Sequence, residues 1–140
     1  MKLLNLTEKT NVVVHAMALI TNSDSDGPVS VKTIAAHLKV SETYLAKVLQ
    51  PIVKEGFLNS SRGAKGGFTM RKKPEEIMVL ELVTLLEGPL PENNCLFNHP
   101  VCERGSCPFS GLSKKIRKTI MEELKGISIK DVSESFAKNS

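Results

Sequence analysis

Ser30-Val-Lys-Thr-Ile-Ala-Ala-His-Leu-Lys-Val-Ser-Glu-Thr-Tyr-Leu-Ala-Lys-Val-Leu-Gln-Pro-Ile-Val-Lys-Glu-Gly56 runs directly into Phe57-Leu-Asn-Ser-Ser-Arg-Gly-Ala-Lys-Gly-Gly-Phe-Thr-Met-Arg71, and these residues decide the fold. Ser30 and Ser41 are both N-cap residues, because a hydroxyl can accept the orphan N–H groups of a first helical turn. Ile34, Ala35 and Leu38 face inward from the first helix. Leu45, Val48, Leu49, Ile52 and Val53 form the apolar stripe of the second, which Gly56 closes. Pro51 lacks an N–H and is expected to bend or break that helix near its end. Two short helices with a tight junction at Val40-Ser41, and small Ala35 and Ala36 allowing close approach, make a helix-turn-helix. Residues 57–62 and 67–71 flank Gly63-Ala-Lys-Gly and read as a β-hairpin whose glycines supply positive φ at the tip. A helix pair followed at once by a basic hairpin is a winged helix.

Working outward, Thr7 caps a helix to about Thr21 with Glu8 in its first turn, where the helix dipole favours a carboxylate. Asn22 to Pro28 reads as a loop. Pro74-Glu-Glu opens a helix through Ile77, Leu80, Leu82, Val83 and Leu86 to Gly88. From Ser110 or Ser113 to Lys125, Leu112, Ile116, Ile120 and Leu124 recur every four residues between charged ones, a narrow stripe suited to a partner helix. One more short helix is expected after Gly126. The expected fold is therefore mostly α with a small β-hairpin wing: a winged helix-turn-helix DNA-binding domain over 1–88, a cysteine cluster loop over 89–108, and a dimerisation helix and tail over 109–140.

Net charge is +4 over 140 residues, but the first 74 carry +6 and the remainder −2. Lys54, Arg62, Lys65, Arg71, Lys72 and Lys73 lie against Glu55 alone between residues 54 and 73, the electrostatic footprint of a polyanion partner. In a helix-turn-helix the second helix enters the major groove N-terminus first. That places Ser41, Glu42, Thr43, Tyr44 and Lys47 near bases and phosphates, while Arg62, Gly63, Lys65 and Gly66 form the part of the wing that approaches duplex DNA. A phosphate-binding P-loop is excluded at this tip, since Gly-x4-Gly-Lys-Ser/Thr is absent. The apolar runs Val12–Val14 and Ala16–Ile20 fall far short of a membrane span, and the N-terminus turns polar too early for a secretory signal. A cytoplasmic protein is expected, with no membrane partner. No nucleophile–base pair or paired carboxylates converge, so an enzyme is not expected.

Cys95, Cys102 and Cys107 are the three cysteines of the chain and lie within one short segment. An odd count in a cytosolic protein argues against a disulfide framework. Clustering of this kind needs a local explanation, and redox-active thiols without a cofactor or structural zinc would each supply one. Zinc is the weaker, because the loop has only one short chelating gap.

The stretch Val29 to Gly67, with Ser41-Glu-Thr-Tyr-Leu, Ile52-Val-Lys-Glu-Gly-Phe-Leu and Arg62-Gly-Ala-Lys-Gly-Gly-Phe, resembles the Rrf-two family of bacterial winged-helix transcriptional regulators. The likeness continues through Pro74-Glu-Glu-Ile, Leu86-Glu-Gly-Pro-Leu and Cys95-x6-Cys-x4-Cys-Pro. It implies a homodimer on a pseudo-palindromic double-stranded DNA operator, acting as a repressor whose binding is controlled by an iron–sulfur cluster sensing iron, redox state or nitric oxide. The resemblance makes Cys95, Cys102 and Cys107 the ligands of a two-iron or four-iron cluster. Glu8 matches the carboxylate that the nitric-oxide-sensing branch supplies from the other subunit, and His99 within the loop is a further candidate. Ser110 stands where some members have a histidine ligand, and Ala46 where the iron–sulfur assembly branch has a base-reading glutamate. The alternatives are a cluster-free regulator answering a thiol oxidant or small metabolite, and a winged helix used as a protein-binding adaptor.

Overall fold

The computed structural model describes residues 6–23, 27–89 and 107–137. Helix α1 spans Glu8–Asn22, α2 Val31–Leu38 and α3 Glu42–Lys54. Strands β1 (Leu58–Ser61) and β2 (Gly67–Met70) follow, then α4 (Val79–Glu87), α5 (Ser110–Lys125) and α6 (Ile129–Ala137). The three expected caps are in place: Thr7, Ser30 and Ser41 each accept from the N–H three residues on.

Pro51 does not break α3 at its own position. It is exposed, near the C-terminus, and the helix runs on to Lys54. There Gly56, at φ +84°, turns the chain left-handed. Its N–H donates to Val53 O at 3.0 Å and that of Phe57 to Ile52 O at 3.1 Å, the double closure of a Schellman motif. Between α2 and α3 the turn passes through Lys39 at φ 58°, with Val40 N–H donating to Ala35 O at 3.0 Å.

The strands pair antiparallel, Leu58 with Met70 through Ser61 with Gly67. The structure adds a third member that periodicity did not reveal. Val29, just before α2, pairs with Phe68: Val29 N–H donates to Phe68 O at 3.0 Å, and Phe68 N–H to Val29 O at 2.8 Å. The wing is thereby tied to the residue preceding the Ser30 cap. A Cβ on Gly67 would lie 2.2 Å from Val29 O, so the approach requires glycine.

The helix expected from Pro74 to Gly88 is corrected. Pro74–Glu76 form one 3-10 turn, and Ile77 and Met78 are extended before α4 begins. The break occurs because this segment pairs with the α5–α6 junction. Val79 N–H donates to Ile127 O at 2.8 Å and Ile129 N–H to Ile77 O at 2.9 Å, burying Ile77 and Ile129 completely. Helix α6 opens with a reciprocal cap: Ser128 N–H donates to Asp131 Oδ2 at 2.9 Å, and Asp131 N–H to Ser128 Oγ at 3.1 Å. It then packs along α1, where Asn22 Nδ2 donates to Ser133 O at 3.0 Å.

The core is aliphatic. Val13, Met17 and Ile20 of α1 meet Ile34, Leu45, Leu49, Ile52, Leu58, Leu82 and Ile129, all fully buried or nearly so. Each such Leu or Ile contributes about 1.5–3 kcal/mol relative to an exposed side chain. Helix α1 lies against α2, α3, α4 and α6 and also against β2, so it is the spine on which the helix-turn-helix is mounted.

Replacing Gly67 by Ala must push the hairpin off Val29, and a loss of at least about 2 kcal/mol is expected in urea unfolding. The carboxyl of Asp131 is held below its ordinary range, first by the Ser128 backbone N–H and then by the Ser128 hydroxyl. A lowered folded pKa stabilises above the unfolded value and is lost as pH falls through the folded one. Thermal unfolding of the wild type should therefore fall through the acid range, and Asp131→Asn should flatten part of that fall while lowering the midpoint at neutral pH.

Candidate nucleic-acid interface and sensor residues

The N-terminal turn of α3 is held by its cap, where Ser41 Oγ accepts the Tyr44 N–H at 3.1 Å. That hydroxyl keeps its own proton for an outside acceptor such as a phosphate. Glu42, Thr43, Lys47 and Gln50 are exposed. Thr43 and Lys47 stand four residues apart and Gln50 three further on, so they share one helix face. Tyr44 is half-buried and packs against the core. Its ring is anchored from behind.

At the wing tip Gly63 has φ +103°, and the Gly66 N–H donates to Gly63 O at 2.9 Å, closing a tight turn. A Cβ on Gly66 would sit 2.4 Å from Ser61 O and 2.8 Å from the Arg62 carbonyl carbon, so the tip folds closely onto its own strand. Arg62 and Lys65 project from this turn, exposed and without an ion pair among the described residues. Such cations lose little on meeting phosphates, because no internal partner has to be given up.

The basic stretch divides. Lys54, Arg71 and Lys72 line a recess where α3 ends and the hairpin begins, with Lys72 Nζ 4.1 Å from the centroid of the Phe57 ring. They lie at the end of the hairpin opposite the Arg62–Lys65 tip, and Lys54 complements the negative end of the α3 dipole.

Of the candidate sensor residues, Cys95, Cys102 and His99 lie outside the described residues. Cys107 is a free, partly exposed thiol three residues before α5. Its Sγ accepts the Phe109 N–H at 3.4 Å, while its carbonyl accepts the Ser110 N–H at 3.1 Å. A backbone N–H aimed at sulfur is the kind of contact that tunes cluster thiolates. Glu8 is exposed in the first turn of α1 and has no hydrogen bond among the described residues, so its carboxylate is open to a ligand. The described members of the candidate donor set are one accessible thiol and one uncommitted carboxylate, donor types that an iron–sulfur unit accepts. Among the described residues alone, no three His, Cys, Asp or Glu side chains converge on a metal position. His15 and His37 do not join them. The His15 Nδ1–H donates to Asn11 O at 2.7 Å, and both rings stand edge-on to Phe136 of α6.

Sequence reasoning missed Glu87. From the last turn of α4 its Oε1 accepts the Thr7 N–H at 3.2 Å, the Thr10 hydroxyl at 2.6 Å and the Thr7 hydroxyl. The Thr10 hydroxyl, then the Thr7 hydroxyl, hold the carboxyl below its ordinary range. A sequence signal did exist. A carboxylate in the final turn of a helix opposes that helix's dipole and so calls for a partner elsewhere.

No helix among the described residues is long and apolar enough to cross a membrane. The family model Rrf2, described as an iron-dependent transcriptional regulator, matches residues 6–135. The transcriptional regulator CymR of Bacillus subtilis is 26% identical over 129 residues, 92% of this chain and 89% of that protein. Its solved structure, described as that of the global cysteine regulator, superposes with a TM-score of 0.78 over 94% of this chain and 98% of CymR. The regulator NsrR of Geobacillus kaustophilus is 28% identical over 106 residues, 71% of this chain and 72% of that protein. The solved IscR of T. potens is 29% identical, with a TM-score of 0.71 over 94% of this chain and 88% of IscR.

If the exposed tip cations meet phosphates, each should release about one counterion. Arg62→Ala and Lys65→Ala should each reduce the slope of log affinity against log salt by about 0.9 on any duplex. Titration of the variants on a nonspecific duplex across a salt series checks this.

Proposed function

The chain belongs to the Rrf2 family of DNA-binding transcriptional regulators, and on that premise we propose that it is a homodimeric repressor whose grip on a pseudo-palindromic operator is set by an iron–sulfur cluster in the cysteine loop. The observation that carries the reading is the position of Cys107. The one thiol among the described residues stands three residues before α5, so whatever engages it acts on the start of that helix.

The DNA-reading role falls to Ser41, Thr43, Tyr44 and Lys47 on α3 and to Arg62, Gly63, Lys65 and Gly66 at the wing tip. Their support is the exposure of the α3 face and of the unpaired tip cations. Three functional regions follow: a reading unit over 1–88, a sensing loop over 89–108, and a pairing helix with its tail over 109–140. Helix α5 suits a second copy of itself. Lys114, Lys115, Arg117 and Lys118 crowd the stretch nearer its start, and Glu122 and Glu123 follow, with Lys125 behind them. Two such helices laid antiparallel about a two-fold would set each basic stretch near the other's Glu122 and Glu123. Leu112, half exposed, extends the apolar stripe toward such a partner.

Cys95, Cys102 and Cys107, with Glu8 from a second copy, would hold the cluster. When bound, it supplies a group whose presence or oxidation state changes with iron, redox state or nitric oxide. The protein's own part is mechanical. Any shift at Cys107 moves the start of α5, and through the paired α5 helices the separation of the two α3 helices. Successive major grooves on one face lie about 34 Å apart, so a small rotation costs affinity.

A second reading has an observation of its own: the likeness to CymR, described as a global cysteine regulator. In it the loop thiols respond directly to an oxidant or small metabolite, with no cluster. Anaerobic purification separates the two. The cluster reading expects a coloured protein carrying iron and acid-labile sulfide, with both lost in Cys107→Ser and retention weakened in Glu8→Ala. Colourless protein whose operator affinity changes on thiol oxidation favours the second reading, and equal affinity with and without cluster overturns the first.

A further inference from the structure

We propose that the groove between α4 and α5 binds a small amphipathic anion, an aliphatic chain carrying one carboxylate, an inference independent of any cluster. It starts from two apolar side chains that the core does not use. Leu80 of α4 and Met121 of α5 are half-buried, yet among the described residues neither belongs to the core nor packs against it. Both line a groove of about 440 Å³, whose other described walls are Lys114, Arg117, Lys118, Glu122 and Lys125 of α5. Small-molecule sites have volumes of roughly 300–1,000 Å³.

The groove is pre-formed. Val79 N–H donates to Ile127 O at 2.8 Å, and Met78 bridges to Ser128, so the start of α4 is pinned to the end of α5 by main-chain contacts. Walls held in this way lose little freedom when a ligand enters. The groove also stays open when two α5 helices pair. Met121 stands nine residues after Leu112, and at 3.6 residues per turn that spacing puts the two on opposite sides of the helix. Lys115, three residues beyond Leu112, goes with the pairing stripe, whereas Lys114, Lys118 and Lys125 line the groove.

Four cations stand there against one carboxylate, and Glu122 lies 3.9 Å from Lys118. Lys114 and Lys125 have no ion pair among the described residues. The two ends of the groove are not equivalent. Lys125 lies in the last turn of α5, where it offsets the negative end of a helix dipole that repels anions. Lys114, Arg117 and Lys118 stand nearer the start of the helix, and the head group belongs with them. From Lys114 to Lys125 the helix rises about 16 Å, room for a medium-length chain to run over Met121 and Leu80. The methylene stems of the lysines extend that apolar floor. A neutral apolar ligand would leave the cations unanswered, and a small polar anion would leave the floor wet. A chain with a carboxylate head satisfies both.

Titration calorimetry of the full chain with decanoate tests this, with 1-decanol removing the charge and acetate removing the chain. Decanoate should bind at least tenfold more tightly than either, weaken as salt is raised, and raise the thermal unfolding midpoint. Lys114→Gln combined with Lys118→Gln should weaken decanoate at least tenfold and Met121→Gln at least fivefold, with Lys125→Gln within twofold of the wild type. The lysine variants alter exposed side chains, so they remain decisive if Met121→Gln fails to fold. Equal affinity for decanoate and either control, or wild-type affinity in the double lysine variant, overturns the proposal. So does a change of oligomeric state in that variant on sedimentation, since the groove would then belong to a contact between copies of the chain.

Discussion

Two backbone hydrogen bonds between Val29 and Phe68 tie the helix-turn-helix to the wing. Without them the helix pair and the hairpin would be joined only at Gly56 and through the apolar core they share. With them the residue before α2 is bridged to β2, and the Ser30 cap is held against the hairpin. The constraint extends to a single atom, since Gly67 lies where any Cβ would strike the Val29 carbonyl oxygen. Gly63 and Gly66 serve the turn, whereas Gly67 serves the junction.

A second constraint works at the other end of the molecule. The extended residues Ile77 and Met78 close onto Ile127–Ile129, turning what periodicity presents as one helix into a 3-10 turn, a bridge and a shorter helix. The bridge brings α6 back along α1 and so adds Ile129 to the core. Helix α5 stays outside this core, with Ser113 as its one fully buried side chain. It is an amphipathic helix left largely exposed, which is why it is proposed above as the pairing surface.

Most of the architecture was legible because local signals agreed with one another. The Thr7, Ser30 and Ser41 caps, the stripe from Leu45 to Val53 and the Gly56 stop all pointed to the elements they form. What escaped were contacts between distant segments. Nothing in Val29 alone announces a strand, since a one-residue bridge has no period. Ile77 carries the right spacing for a helix, and only its burial against Ile129 makes it extended. Pro51 looked like a breaker, yet one exposed proline near a helix end costs little once a Schellman turn closes behind it. The Ser128–Asp131 cap was written plainly as Ser-x-x-Asp and passed over. On the site, Arg62, Lys65, Thr43 and Lys47 are exposed as their charge and position suggested. Glu87 was hidden because its partners lie almost the whole reading unit away.

The return of α6 has a bearing on how the molecule is made. Ribosomes deliver chains from the N-terminal end, and the helix-turn-helix and wing emerge long before Ile129. Until that residue arrives, Ile77 has no neighbour to cover it and the flank of α1 stays wet. A nascent chain would therefore hold α3 in an unfinished fold until Ile129 has been made.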